Sequence, residues 1–222
     1  MTHTYAFYTV GVDAKQNTED APATPDVTLT RRFDPPPSLT ATGIDVQLGA
    51  SQRSYIRYLD LQFSVSTGVA ALLTTGSVRL EKFSIDAATV ADIAVGTGTA
   101  VSLGTSALSG SRVRFDFGVN GLGGNRTTTA GDGFYRISVD TNQDGVWNDA
   151  HFEFFRLFGD ADGNGVVNAA DTALVTSQLN QRGSNLNGDL DGDQLVSTSD
   201  RLYTARNVGR KLRDWLLGWL DD

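Results

Sequence analysis

The chain has no cysteine and only two histidines, His3 and His151. The first absence excludes a disulfide scaffold, a cysteine nucleophile and a thiolate zinc site. The second argues against a multi-histidine metal centre and a Ser–His–Asp set, since neither histidine sits in a nucleophile motif. Glutamate is scarce too: Glu19, Glu81 and Glu153 are the only three among 26 acids, and the rest are aspartate. No run approaches the roughly 20 apolar residues of a membrane span. The opening MTHTYAFYTV lacks the basic start and apolar core of a signal peptide. A core is still affordable, because 40% of the 222 residues are hydrophobic.

The net charge of -8 is unevenly spread. Between Asp140 and Asp200 lie eleven of the 26 acids and two of the 18 bases, Arg156 and Arg182. That segment carries -9 and leaves +1 for everything else. Aspartate is short, favours tight turns and coordinates hard cations. Glutamate would dominate if the acidity belonged to solvated helices. The same acidity disfavours nucleic acid as a partner.

Residues 5–12, YAFYTVGV, read as a strand. The stretch FYTVGVDAKQNTEDAP resembles the last strands of a fibronectin-III or immunoglobulin-like domain. Residues 1–32 are therefore expected to be remnant strands of an upstream module, in a chain cut from a longer protein. Pro35, Pro36 and Pro37 favour a stiff spacer, so 33–40 reads as a linker or, alternatively, a sheet-edge loop.

From 41 to 158 short β runs alternate with Gly/Ser/Thr/Asn turns. The expected strands are 43–48, 54–65, 77–85, 100–103, 112–119, 134–140 and 151–158. Period-two alternation, as in Val113, Phe115 and Phe117 against Arg112, Arg114 and Asp116, means one buried and one wet face. The fold class expected is mainly β, an antiparallel β-sandwich followed by a small all-α module over 159–222. Residues 91–111 and 119–133 read as long loops. Helices are expected over 169–180, 198–207 and 206–220, the last from apolar spacing at Val208, Leu212, Trp215, Leu216, Trp219 and Leu220.

The tail contains an internal repeat. GDADGNGVVNAAD, from Gly159, and GDLDGDQLVSTSD, from Gly188, both read G-D-x-D-x-[ND]-x-x-V-x-x-x-D. Alternate oxygens of such a loop converge on one point. The first set is Asp160, Asp162, Asn164, the carbonyl of Val166, and Asp171. The second is Asp189, Asp191, Asp193, the carbonyl of Leu195, and Asp200. Hard oxygens including a carbonyl suit Ca²⁺ better than Mg²⁺ or zinc. A third acidic loop offers Asp140, Asn142, Asp144, the carbonyl of Val146, and Asp149 in a shortened closing position. It is either a third Ca²⁺ site or a metal-free hairpin turn.

The paired loops resemble a type I dockerin, the duplicated half-EF-hand module of secreted bacterial proteins. The resemblance covers about residues 159–210, and the tail as a whole is similar to C-terminal arrangements in planctomycete-type bacteria. It implies two calcium sites, helices after each loop, and an extracellular or cell-surface location. Its partner-selecting positions map onto Ala169 and Ala170, and onto Thr198 and Ser199. The partner implied is a cohesin-like or other sandwich-domain protein; docking on the chain's own sandwich is the alternative. Ala169-Ala170 departs from the usual Ser-Thr pair, and Gln194 replaces the glycine that Gly165 keeps. The function expected is non-catalytic, calcium-dependent stability and attachment. Glycan binding through Tyr55, Tyr58, Tyr135 or Trp147 is the alternative function.

Overall fold

The computed structural model describes residues 2–7, 10, 18, 23–25, 27–32, 38–84 and 98–213. A first compact unit, Met1–Ser38, holds an antiparallel pair, β1 (Thr2–Phe7) and β2 (Val27–Arg32). Thr2 faces Arg32 and Phe7 faces Val27. Most of the second half of the strand expected over 5–12, and the three linker prolines, lie outside the described residues.

The second unit, Leu39–Asp222, is mainly β. One four-stranded antiparallel sheet runs in the order β3 (Ala41–Val46), β4 (Tyr58–Phe63), β8 (Arg112–Asp116), β7 (Thr105–Ser109). The other runs β10 (Ala150–Arg156), β9 (Gly133–Val139), β5 (Val78–Phe83), β6 (Thr99–Val101). Leu59, Leu61, Val113 and Phe115 of the first sheet share one buried cluster with Leu80, Tyr135, Ile137 and Phe154 of the second. Alternation explains this: Val113 and Phe115 turn inward while Arg112 and Arg114 turn out, where Arg114 pairs with Asp60 at 2.7 Å. No helix among the described residues is long and apolar enough to cross a membrane.

Strand β9 is buried along its whole length. Its Phe134 points away from the inter-sheet cluster. It joins Phe83, Phe155 and Leu157 in a second cluster, closed by Val167 and Leu212 from the tail. The tail thus supplies part of the cover for this sheet.

Two elements escaped the sequence reading. Helix α1 (Val69–Thr75) buries Val69 and Leu72, and left-handed glycines, Gly68 and Gly76, bound it. Strand β7 lies in a stretch read as loop. It is an exposed edge without a buried face, so it has no alternation to detect. The strand expected over 54–65 is shorter: Ser54 and Tyr55 turn to the tail, and the Ile56 and Arg57 carbonyls accept from Leu122 and Phe117 N–H outside the ladder.

The tail holds α2 (Ala169–Ser177) and α3 (Thr198–Asn207). The helix expected over 206–220 is corrected in its described part. Helix α3 ends at Asn207, and Gly209 turns the chain at φ +92. Residues 210–212 then run extended beside the first acidic loop. Val167 N–H donates to the Arg210 carbonyl at 2.9 Å, and Leu212 N–H to that of Gly165 at 2.9 Å. Apolar spacing was real, but Leu212 is buried from an extended segment. Residues 214–220 lie outside the described set.

Candidate metal centre

Each acidic loop wraps its carboxylates in its own backbone. Asp160 accepts from Gly163 N–H at 2.7 Å and Gly165 N–H at 2.9 Å. The equivalent Asp189 accepts from Gly192 N–H at 2.8 Å and Gln194 N–H at 2.9 Å. Asn164 accepts from Val166 N–H at 2.8 Å, and Asp193 from Leu195 N–H at 2.9 Å. The repeat in sequence is thus a repeat in hydrogen bonding.

The helices complete the loops. Asn168 and Ser197 cap α2 and α3, and the third helical residue reaches back in a capping box. Those residues are Asp171 and Asp200. Asp171 also accepts from Ala161 N–H at 2.7 Å, and Asp200 from Leu190 N–H at 2.8 Å. Capping therefore aims each closing carboxylate back over the start of its loop. Asp160, Asp162 and Asp171 present oxygens within 4.8 Å of one another, and so do Asp189, Asp191 and Asp200. Among the described residues these are the two such triads. Asn164 and Asp193 line the loops outside them and are exposed.

Gln194 replaces glycine yet keeps the turn. Its φ is +69, close to the +77 of Gly165. A residue with a Cβ bears a cost of roughly 1 kcal/mol or more there.

The carboxylates are deeply placed. Asp160 and Asp171 are fully buried, and Asp200 nearly so. Their hydrogen bonds come from backbone N–H groups, the Asn164 amide and the Ser197 hydroxyl. Burial pushes Asp160 up to about 7, against the Gly165 and Gly163 N–H groups and with Asp171 and Asp162 adding repulsion. Burial likewise pushes Asp189 and Asp191 up to about 6, reinforced by Asp200 and Asp193. Converging buried carboxylates without a counter-ion are unfavourable, and a hard divalent cation is the partner that offsets them.

A pH dependence follows. An unfolded Asp loses its proton near ~3.9. The folded, metal-free chain holds these protons to pH 6–7. It then binds more protons than the unfolded chain between about pH 4 and 7, so its stability falls as pH rises through that window. In EDTA the urea midpoint is expected to be lower at pH 7 than at pH 5. A cation held by these carboxylates would have to displace the same protons, so its affinity is expected to weaken as pH drops from 7 to 5. A metal-free midpoint that rises over this window would contradict the site electrostatics.

The third loop has the same Asx pattern. Asp140 accepts from Gly145 N–H at 2.9 Å, Asp144 from Val146 N–H at 2.7 Å, and Asp149 from Asn142 N–H at 2.9 Å. It caps the β9–β10 hairpin. Its three carboxylates form no triad comparable to the two in the tail. His151, at the usual closing position, lies 3.6 Å from Glu153 instead.

The positions expected to select a partner are all exposed. Ala169, Ala170, Thr198 and Ser199 sit in the first turns of α2 and α3. The candidate glycan aromatics form no open platform. Tyr55 and Tyr135 are buried, Arg57 and Arg114 lie over Tyr58, and Arg79 covers Trp147 at 4.4 Å.

No family model, curated protein or solved structure matches this chain.

One functional element had no signal in the repeat. Residues 48–55, between β3 and β4, engage both acidic loops. Arg53 N–H donates to the Asp160 carbonyl at 2.9 Å. Asn185 Nδ2 donates to the Leu48 carbonyl at 3.1 Å, and Ser51 N–H to Asn187 Oδ1 at 3.2 Å. A Cβ on Gly163 would lie 2.0 Å from the Ser51 carbonyl, and one on Gly192 would meet the Tyr55 ring at 2.0 Å. Both loop glycines are thus required by close approach to the β body.

Proposed function

We propose that the tail is a calcium-binding module of dockerin type, fastened to a β-sandwich in a non-catalytic protein that works outside the cell. One observation carries the reading: two repeat-related carboxylate triads, buried except for the half-buried Asp162, each converge within 4.8 Å. Carboxylates and loop carbonyls are hard donors. Asp160, Asp162, Asn164, Val166 and Asp171 would hold one ion, and Asp189, Asp191, Asp193, Leu195 and Asp200 the other. The ions supply charge neutralisation, and the chain supplies the rigid loops. With no disulfide, the metal is the staple that ties the tail to the sheets. Millimolar extracellular calcium suits that role.

The test removes one closing carboxylate at a time. Asp171→Asn and Asp200→Asn keep an oxygen for the helix cap but lose a charge. Equilibrium dialysis with metal counting is expected to give two calcium ions in the parent and one in each variant. Unchanged stoichiometry in both variants would sink the assignment.

Attachment to an external protein is a second reading. The feature that favours it is the groove between α2 and α3, where Ala169, Thr198 and Ser199 lie open beside Thr172 and Ala205.

A further inference from the structure

The two acidic loops do not pair with each other. Val166 of the first bridges to Lys211, and Leu195 of the second bridges to Arg182. A different group connects them. Ser54, fully buried, comes from the segment before β4. Its hydroxyl accepts from Gly159 N–H at 3.1 Å and donates to the Leu190 carbonyl at 2.9 Å. Gly159 immediately precedes Asp160, and Leu190 immediately follows Asp189. One hydroxyl therefore spans the first-ligand positions of both loops.

Its neighbours stiffen the arrangement. Arg53 N–H is bonded to the Asp160 carbonyl, and the Arg53 carbonyl accepts from Leu157 N–H at 2.9 Å. Gln52 holds the Tyr55 backbone on both sides, through Nε2 to its carbonyl at 2.6 Å and Oε1 from its N–H at 2.8 Å. Tyr55 in turn packs against Gly192. A shift of either loop's first aspartate must displace Ser54, and through it the other loop.

We propose that Ser54 is a positioning residue that couples the two loops, so that a cation in one tightens binding in the other. The proposal rests on the metal reading of the loops. Ser54 touches no ion; it transmits the position of one Asp-bearing backbone to the other. Removing the hydroxyl leaves a buried N–H and a buried carbonyl without their partner, and separates the loops energetically. Coupling must be reciprocal, since it is a free energy shared by the two sites.

The experiment is a calcium titration followed by NMR, reading the amides of Gly165 and Gly192 as reporters of the two loops. In the parent chain both are expected to shift over one concentration range with a Hill coefficient above 1. Asp200→Asn disables the second loop and is expected to weaken the first by about fivefold or more, the low end of ordinary coupling between sites. With Ser54→Ala in place, Asp200→Asn is expected to leave first-loop affinity unchanged. Ser54→Thr, which keeps a hydroxyl, is expected to restore the coupling. A merely structural Ser54 would lower stability without altering the effect of Asp200→Asn. The idea is overturned if Asp200→Asn leaves the first loop unchanged in the Ser54 protein, or if coupling survives Ser54→Ala. The first of these outcomes needs no Ser54 variant, so it holds even if Ser54→Ala does not fold. Two independent calcium sites would refute the coupling alone, whereas no calcium binding would refute the metal reading itself.

Discussion

Stripping calcium with EDTA is expected to lower the melting temperature by about 10–20 °C. A site filled at 100 times its dissociation constant adds about 2.7 kcal/mol, so two add about 5. For a chain of this size each kcal/mol moves the midpoint by roughly 2–4 °C. The loss should not be confined to the tail. Val167 and Leu212 share a buried cluster with Phe83, Phe134 and Phe155 of the second sheet. Loosening the first loop removes that cover, so near-UV signals from the sheets should melt with the tail in one transition. Differential scanning calorimetry with and without calcium reads this directly. Equal melting temperatures in the two conditions would mean that the ions do not staple this fold.

The second large effect lies away from the metal. Arg156, at the end of β10, has a side chain only 1% exposed. It donates to Asp132 at 3.1 Å and to the carbonyls of Asn125 at 3.2 Å and Thr128 at 3.1 Å. Asp132 also accepts from Phe158 N–H at 2.9 Å and pairs with Arg210 of the tail. Burial pushes Asp132 up and Arg156 down, against the attraction between them. Desolvation thus outweighs pairing at each group, and the network matters for what happens when it is broken. Arg156→Met leaves the buried Asp132 with Arg210 as its one charged partner, beside the Phe158 N–H, and takes away the donor that holds the Asn125 and Thr128 carbonyls. The expected cost is about 3–5 kcal/mol. Urea denaturation in saturating calcium measures it, and a loss under about 1 kcal/mol would show that the loop and Arg210 re-satisfy Asp132 unaided.

Local periodicity made part of the fold readable. The β8 alternation of Val113 and Phe115 identified a strand with one buried face. The helices expected from 169 and 198 begin where α2 and α3 do, behind the caps Asn168 and Ser197. The acidic loops were legible because their oxygen-bearing residues recur at a fixed spacing in two copies, and the structure brings together three of the carboxylates in each. What could not be read was long-range. Ser54 lies 105 residues from Gly159 and 136 from Leu190, and nothing in SQRSYIRYL marks it as a contact to the tail. Arg156 entered the sequence reading only as one of two bases in the acidic segment, and nothing local marks it as buried against the Asn125 and Thr128 carbonyls. The described part of the helix expected over 206–220 failed for a different reason. Gly209 and the bonds to Gly165 and Val167 favour an extended segment where apolar spacing alone suggested a helix.

A calcium ion in each of the two triads is what the proposed function requires. The most direct measurement is the mass of the folded chain, sprayed under native conditions after equilibration with millimolar calcium and removal of free ion. The expected result is a chain carrying two calcium ions that are lost together with the folded charge-state distribution on acidification. A folded chain that retains none would contradict the account, and the Asp160 and Asp189 loops would then be metal-free Asx turns.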